Sequence, residues 1–327
     1  MDGISVIIPC YNCSDTIIRT LQSLENQEFK NFEVVIINDG STDDTEYKII
    51  GFSKSSELNI SYFSQVNMGV SASRNRGIIK AKNNLIMFLD SDDVYHPQLM
   101  QILFETITTK VADTAYCYFT RNLNEKFYTD YKQDDFDIQK QTQEDCMNDL
   151  LFNKGKIAFT NFIYRKAILI KNEIIFPVNR ITGEDLEFIW KYLCHCQKIY
   201  KINNELYGYF YVDNSATNRV FWERTDSLES FKNIEKYLVK NNVMFAETYQ
   251  NYIYSRVIWS YAKTFARGNR KDLFNRLSVE FKVKDHMRNM IFNSRDIAVS
   301  ITAAMYCLQP SLFFYFVRFI FNIKEVK

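Results

Sequence analysis

The sequence has 327 residues, enough for one large domain with an appendage or for two modest domains, and 46% of them are hydrophobic. The formal net charge is only +1, with 40 Lys and Arg against 39 Asp and Glu, which argues against a nucleic-acid binder that neutralises phosphates. The seven cysteines are scattered without a disulfide framework. Cys10 and Cys13 have CxxC spacing, but no second pair stands at zinc-finger distance, so no zinc site is indicated. We therefore expect free thiols in a reducing, cytoplasmic compartment and no signal peptide before the first strand.

Four strands are predicted within the first 95 residues. Continuous apolar runs are typical of strands that are covered on both faces. Three such runs and one weaker strand pattern lie at residues 5–9, 32–38, 60–65 and 84–90. Helical patterns separate these segments, which predicts a parallel sheet with helices on its faces. Ligands bind at the carboxyl ends of the strands in sheets of this kind.

Helices are predicted between these strands. The first has an apolar stripe, and Ser14 or Asn12 is its predicted N-cap. The segment "DGSTDDT" at 39–45 is a turn that leads into the second helix, and "GVSASRNRGIIKA" at 69–81 is the third.

The later part of the chain is less regular at first and then helical. "TAYCYF" is a predicted strand, "GEDLEFIWKYL" at 183–193 is a helix, and "KIYKIN" and "LYGYFYV" are interpreted as a pair of strands. From about Val220 the pattern is helical to the end. We therefore predict a domain over residues 1–215 and a helical region over 216–327.

Acidic residues stand directly after two of the predicted strands. Asp39 follows the second strand, and Asp90, Asp92 and Asp93 follow the fourth, where their mutual repulsion requires a cation or hydrogen-bond donors. The chain has no glycine-rich phosphate loop. Asp92 can instead hold Mg²⁺ or Mn²⁺ against a diphosphate. Asp90 can accept from ribose hydroxyls, Asp39 can accept from a ring N–H such as that of uracil, and Arg74 can pair with an acidic neighbour or a phosphate.

Five sequence motifs in a fixed order carry a resemblance to a known family. They are "SVIIPCYN", "VVIINDGSTDDT", "NMGVSASRNRGI", "FLDSDD" and "GED". Over residues 4–215 the chain resembles the family 2 glycosyltransferases of the GT-A fold. The resemblance implies an α/β fold with a mostly parallel sheet flanked by helices, and a helical C-terminal region. It also implies an inverting, metal-dependent transfer of a sugar from a UDP-sugar to a hydroxyl of a lipid-linked glycan acceptor, as in surface-polysaccharide synthesis.

The same resemblance assigns site residues. The nucleotide pocket would be lined by Pro9, Tyr11, Asp39, Asn67, Arg74, Asp90, Ser91 and Ser215. Asp92 is similar to the metal ligand of the DxD motif, which binds Mn²⁺ or Mg²⁺. Glu184 and Asp185 are similar to the family's ED pair, whose Asp is the catalytic base. Where many relatives have an arginine before the serine, this chain has Val212, and Arg219 is the candidate to supply that charge.

Two functions from other classes also fit parts of the sequence. "FLDSDDV" matches the DxDx[TV] loop of aspartate-nucleophile phosphatases, in which Asp90 would be phosphorylated and Asp92 would be the acid. Three strands precede the loop here, whereas those enzymes carry it on the first strand. A non-catalytic sugar-nucleotide-binding module of a membrane complex is the other alternative, and an intact Asp185 argues against it. Structural interpretations also exist for several of these residues. Asp39 can be a turn residue, Glu184 and Asp185 can be first-turn acids, and Arg74 can be an ion-pair partner.

The C-terminal sequence combines basic and apolar residues. Residues 256–296 contain ten Lys or Arg against four Asp or Glu, and residues 297–323 are mostly apolar but include Pro310 and Arg318. A membrane-spanning helix needs ~20 predominantly apolar residues, which the proline and polar residues disfavour. We predict an in-plane amphipathic anchor on the inner face of the cell membrane. The alternative is a helical hairpin packed on the catalytic domain or across a homodimer.

Overall fold

A computed structural model describes residues 3–128, 131, 135–152, 157–180, 182–210, 222–241, 246, 249–294 and 296–325. The chain forms two compact units. The first consists of Met1–Asn179 and Phe188–Val212, and the second of Arg180–Glu187 and Asp213–Lys327. The domain boundary near residue 215 stays a prediction.

The first unit is built on a mixed sheet. Its strands are β1 (Ile4–Cys10), β2 (Phe32–Asn38), β3 (Ile60–Ser64), β4 (Leu85–Phe88), β5 (Val94–Tyr95), β6 (Thr114–Thr120), β7 (Ile138–Gln141), β8 (Phe162–Arg165) and β9 (Ile199–Gly208). The strand order is β3-β2-β1-β4-β8-β6-β9-β5, and β7 pairs with β9. Strands β1 to β4 are mutually parallel, whereas β8 is antiparallel to both β4 and β6. The predicted α/β fold is confirmed.

The parallel part of the sheet lies in the core, as the apolar runs predict. Every residue of β1, β2 and β4 is buried. The helices that connect or follow the strands are α1 (Ile17–Glu25), α2 (Thr45–Ser55), α3 (Val70–Lys80), α4 (Leu99–Thr109), α5 (Gln143–Phe152), α6 (Lys166–Lys171) and α7 (Glu184–Leu193). Because helices cover these strands, their side chains can be apolar on both faces without alternation.

Helix α3 approaches the sheet unusually closely at Gly77. A Cβ at this position would overlap the side chain of Ile7 on β1. The absence of a side chain at Gly77 therefore sets how near α3 lies to β1.

Two local predictions are wrong. Helix α1 begins at Ile17, and its N-cap residue Thr16 makes no side-chain capping hydrogen bond. Asn12 instead accepts a hydrogen bond from the backbone N–H of Thr42, with an oxygen–nitrogen distance of 2.8 Å. Ser14 donates its own N–H to Asp43 over 3.0 Å. Both predicted capping residues join the loop after β1 to the loop after β2.

The predicted strand pair over "KIYKIN" and "LYGYFYV" is also wrong, because residues 199–208 form the single strand β9. Asparagine often occurs in turns, but long-range contacts keep Asn203 and Asn204 within β9. The side chain of Asn203 pairs with Asp137, and that of Asn204 donates to the carbonyl of Asp135 over 3.1 Å. Residues 211 and 212, predicted to end the second strand, lie outside the described residues.

The second unit is helical, as predicted. Its helices are α8 (Asp226–Lys240), α9 (Tyr254–Arg267), α10 (Lys271–Glu280), α11 (Val283–Asn293), α12 (Ile297–Leu308) and α13 (Pro310–Glu325). Pro310 begins α13, because its fixed φ suits the first turn of a helix. An aromatic-rich core includes Trp259, Phe274 and Phe313. None of the described helices combines the length and apolarity needed to cross a bilayer.

Candidate functional site

The sequence-predicted nucleotide residues lie at one edge of the sheet in the first unit, around the carboxyl ends of β1, β2 and β4. These residues are Pro9, Tyr11, Asp39, Asn67, Arg74, Asp90, Ser91 and Asp92. Pro9 is buried within β1, whereas Tyr11 is 52% exposed. Glu184 and Asp185 belong to the second unit. Ser215 lies outside the described residues, as do Val212 and Arg219.

Asp39 organises the loop that precedes α3. Asp39 is only 3% exposed. One oxygen accepts from the side-chain amide of Gln65 over 2.7 Å and from the N–H of Met68 over 2.9 Å. The other accepts from the N–H of Gly69 over 2.7 Å. Asn67, the neighbouring candidate, is exposed. Asp39 is therefore more than a turn residue, since its carboxylate orders residues 65–69. Gln65 is a partner that no sequence motif indicated.

Arg74 is directed at Asp90 from α3. Its Nη2 lies 3.0 Å from Oδ1 of Asp90. The guanidinium is buried, and its central carbon lies 4.4 Å from the ring centroid of Phe159 and 5.3 Å from that of Phe176. A planar, always-charged guanidinium suits this aromatic environment better than an ammonium. The structure thus pairs Arg74 with an acidic neighbour, one of the two partners that the sequence suggested.

Helix α1 holds the loop that carries the acidic cluster. Arg19 donates from Nη2 to the carbonyl of Asp92 over 2.7 Å, and its guanidinium carbon lies 3.4 Å from the ring centroid of Phe210. The hydroxyl of Thr20 contacts the carbonyl of Ser91 at 3.0 Å and that of Asp93 at 2.9 Å. Neither Arg19 nor Thr20 is marked by a motif, so sequence reasoning had no signal for them.

The three carboxylates of this loop have different surroundings. Asp93 is buried, and it accepts from the hydroxyl of Tyr207 over 2.7 Å and from the N–H of Phe210 over 3.0 Å. Burial first, and then the charges of Asp90 and Asp92, raise the pKa of the Asp93 carboxyl well above its usual range. Asp93 thus belongs to the interior and not to the open part of the site. Asp90 and Asp92 are only half-buried.

The electrostatics of Asp92 fit a divalent cation. Burial, followed by repulsion from Asp90, raises the pKa of the Asp92 carboxyl, and Arg19 acts in the opposite direction. A nearby cation would relieve that repulsion, and hard cations prefer carboxylate oxygens. Within the described ranges, three or more His, Cys, Asp or Glu side chains nowhere converge to coordinate a metal on their own. Asp92 is the candidate residue that would hold such an ion, through its carboxylate oxygens.

Glu184 and Asp185 open helix α7, whose first four residues belong to the second unit. Both are half-buried, and Oδ1 of Asp185 lies 2.7 Å from the N–H of Leu186, which donates to it. The first turn of α7 also contains Glu187, so three acidic side chains meet the positive end of the helix. A helix N-terminus favours ionised carboxylates, as a general base requires.

Comparison with known proteins identifies relatives and structural neighbours. Glycosyltransferase GlyA of Streptococcus pneumoniae is 28% identical over 228 residues, which cover 68% of this chain but only 32% of that protein. The putative glycosyltransferase EpsH of Bacillus subtilis is 29% identical over 63% of this chain and 60% of its own length. The solved structure of S. aureus TarS 1–349 with UDP-GlcNAc has a TM-score of 0.66 at 18% identity, and the match covers 99% of this chain and 91% of that chain.

The mannosyltransferase PcManGT from Pyrobaculum calidifontis, solved with GDP-Man and Mn²⁺, has a TM-score of 0.57 at 14% identity over 94% of this chain and 88% of its own. At these identities the solved structures establish the fold alone. The family described as "Glycosyl transferase family 2" matches residues 5–172, a segment that contains β2 to β4, all of β1 except Ile4, and the acidic loop. The chain therefore belongs to glycosyl transferase family 2.

Proposed function

We propose that this protein is an inverting, metal-dependent glycosyltransferase that moves a sugar from a UDP-sugar to a hydroxyl of a lipid-linked glycan. The observation that carries the proposal is that Asp39, Asp90 and Asp92 follow the carboxyl ends of parallel strands, where Arg74 pairs with Asp90. The lipid-linked acceptor is supported by a relative, the E. coli UDP-Glc:alpha-D-GlcNAc-diphosphoundecaprenol beta-1,3-glucosyltransferase WfaP. It is 35% identical over 138 residues, which are 42% of this chain and 50% of that protein.

The first unit would bind the nucleotide. Asp39 and the loop that it orders would face the uracil, and Asp90, oriented by Arg74, would accept from the ribose hydroxyls. Asp92 would hold Mn²⁺ or Mg²⁺. When bound, this cation supplies positive charge that stabilises the leaving diphosphate. Arg19 and Thr20 would keep the Asp92 loop in one conformation, so that little ordering is needed on binding.

The ED pair would supply the base. Asp185 would remove the proton from the acceptor hydroxyl as that oxygen attacks the anomeric carbon from the face opposite the diphosphate. The new glycosidic bond forms as the bond to the diphosphate breaks, so the anomeric configuration inverts. Glu184, its neighbour, is the alternative base.

The test combines donor screening with a single isosteric substitution. UDP release is measured with a panel of UDP-sugars and Mn²⁺, and then with Asp185→Asn. We expect transfer to fall on the order of 10²–10⁴-fold, the usual contribution of a general base, with UDP affinity unchanged. Asp226→Asn is the matched control, because Asp226 occupies the first turn of α8 in the same unit. It should leave transfer intact.

Two outcomes would contradict the proposal. UDP binding without turnover for any donor and acceptor would favour the non-catalytic sugar-nucleotide module. Substantial transfer by Asp185→Asn would remove Asp185 from the mechanism and leave Glu184 as the candidate.

We further propose that α12 and α13 lie on an anionic membrane surface. One stripe of each helix packs into the core of the second unit, through residues such as Tyr306 and Phe313. The opposite stripes expose large apolar side chains, namely Ile297, Ile301, Leu308, Leu312, Tyr315 and Phe319. Lys271 adjoins this surface and donates to the hydroxyl of Tyr315 over 3.3 Å. Exposed apolar side chains beside a basic residue suit insertion among anionic headgroups.

The membrane test uses substitution, because deletion of 297–327 would uncover the core that contains Phe274. Leu308→Glu is compared with Val279→Glu, since both side chains are 81% exposed and only Leu308 lies on the proposed surface. We expect Leu308→Glu alone to weaken sedimentation with vesicles that contain anionic lipid. Equal sedimentation of both variants, or none by the unmodified chain, would contradict the membrane proposal and leave the alternative of a hairpin packed on the catalytic domain or across a homodimer.

A further inference from the structure

The start of helix α7 is seated on helix α8 within the second unit. Gly183, the residue before Glu184, has a φ of +85°. A Cβ at Gly183 would stand 2.7 Å from both Cα and Cβ of Ser227 and 3.0 Å from Oγ of Ser230. Only glycine combines this backbone conformation with so close an approach. The turn that presents Glu184 and Asp185 therefore lies directly against the first two turns of α8.

A buried ion pair also fixes this turn. Nη1 of Arg180 lies 2.7 Å from Oε2 of Glu187, and the two side chains are only 15% and 3% exposed. Arg180 also donates to the hydroxyl of Ser230, and the side-chain amide of Asn233 donates to Glu187 over 3.4 Å. Helix α8 thus contributes two polar contacts to the residues that bracket the ED pair.

These contacts leave Asp185 little freedom. Gly183 precedes it by two residues and Glu187 follows it by two, and the N–H of Glu187 donates to the carbonyl of Gly183 over 3.1 Å. A buried ion pair adds little net stability over a well-packed apolar pair, but loss of one partner leaves an uncompensated charge. The buried Arg180–Glu187 pair is therefore better explained by its fixing the conformation of this turn than by a gain in stability.

We propose that Arg180 and Glu187, seated on α8, are positioning residues for the Asp185 carboxylate. This inference rests on the proposed function, in which Asp185 is the general base. It assigns the C-terminal helical unit a part in catalysis, because α8 supplies Ser227, Ser230 and Asn233 to the turn that carries the base. A misplacement of about 1 Å can lower a rate on the order of 10²-fold.

The experiment measures kcat at saturating donor and acceptor, the UDP dissociation constant and the melting temperature. The principal variant is Glu187→Gln, which keeps the shape and removes the charge. We expect kcat to fall by about 10–100-fold, with UDP affinity unchanged. Glu280→Gln is the control, since Glu280 pairs with Arg276 at 2.7 Å in an exposed i,i+4 pair of the same unit, and it should leave kcat unchanged.

A double-mutant comparison separates positioning from a general structural effect. In an Asp185→Asn background, Glu187→Gln should cost no further activity, because the group that it positions is already inactive. An equal loss in both backgrounds, or a full kcat in Glu187→Gln, would overturn the positioning role. If Glu187→Gln does not fold, Arg180→Lys supplies the same comparison. Failure of the proposed function is distinguishable, because there Asp185→Asn itself would retain transfer.

Discussion

Replacement of Asp39 by alanine tests whether the loop before α3 is ordered by this one carboxylate. The substitution removes three hydrogen bonds, from Gln65, Met68 and Gly69. A hydrogen bond to a charged group contributes about 1.5–3 kcal/mol. Met68 and Gly69 are exposed, so water replaces part of what is lost, and we expect a net destabilisation of about 2–4 kcal/mol. That corresponds to a fall in melting temperature of about 4–16 °C. UDP affinity should also fall at least about tenfold, since the proposed uracil contact disappears.

Glu33→Ala is the matched control. Glu33 lies near the opposite end of the same strand β2, and it is a buried carboxylate that accepts from Ser5 over 2.7 Å and from the N–H of Lys82 over 2.6 Å. It should lower the melting temperature comparably and leave UDP affinity unchanged in calorimetry. An unchanged UDP affinity in Asp39→Ala would show that Asp39 serves the fold alone. An unchanged melting temperature would refute the hydrogen-bond network.

Three further predictions concern the metal, the second unit and Arg74. Asp92→Asn should abolish stimulation of UDP binding by Mn²⁺, and full activity of the unmodified enzyme in EDTA would refute the metal assignment. Burial lowers the pKa of His286 in the folded protein. As the pH drops below about 6.5, the unfolded state therefore binds a proton before the folded state does, and the free energy of unfolding should fall. In denaturant titrations, His286→Gln should make the free energy of unfolding less dependent on pH. An unchanged pH dependence in this variant would contradict the assignment to His286. Arg74→Lys should destabilise the protein by about 1–3 kcal/mol, because an ammonium cannot pair with Asp90 and also stack on Phe159. Equal urea concentrations at the unfolding midpoint for Arg74→Lys and the unmodified protein would refute this reasoning.

The parallel core could be predicted because its signal is local. Strands that are covered on both faces need continuous apolar residues, and β1, β2 and β4 have them. Strand β9 was misinterpreted because Asn203 and Asn204 favour turns in isolation. Their contacts with residues 135 and 137, more than sixty positions away, decide the outcome. Such pairing leaves no local trace in the sequence.

The candidate site was predictable only in part for the same reason. Residues within motifs, such as Asp39 and Asp92, could be assigned by resemblance. Arg19 could not, because its contact with the carbonyl of Asp92 depends on backbone geometry 73 residues further along the chain. The close approach of Gly183 to α8 and the hydrogen bond from Asn233 to Glu187 were likewise invisible, since nothing in the sequence indicates that residues 226–240 lie beside them.

The close approach of α3 to β1 at Gly77 has a consequence for sequence drift. Even one added methyl group there would push the helix away from Ile7 and carry Arg74, one turn earlier, away from Asp90. Ile79, two residues later, is 76% exposed and meets no such limit. Among descendants that keep the reaction, position 77 should therefore remain glycine while position 79 varies freely. The lack of a side chain at this buried position thereby limits the substitutions that the protein tolerates, as a charged group in the cleft does.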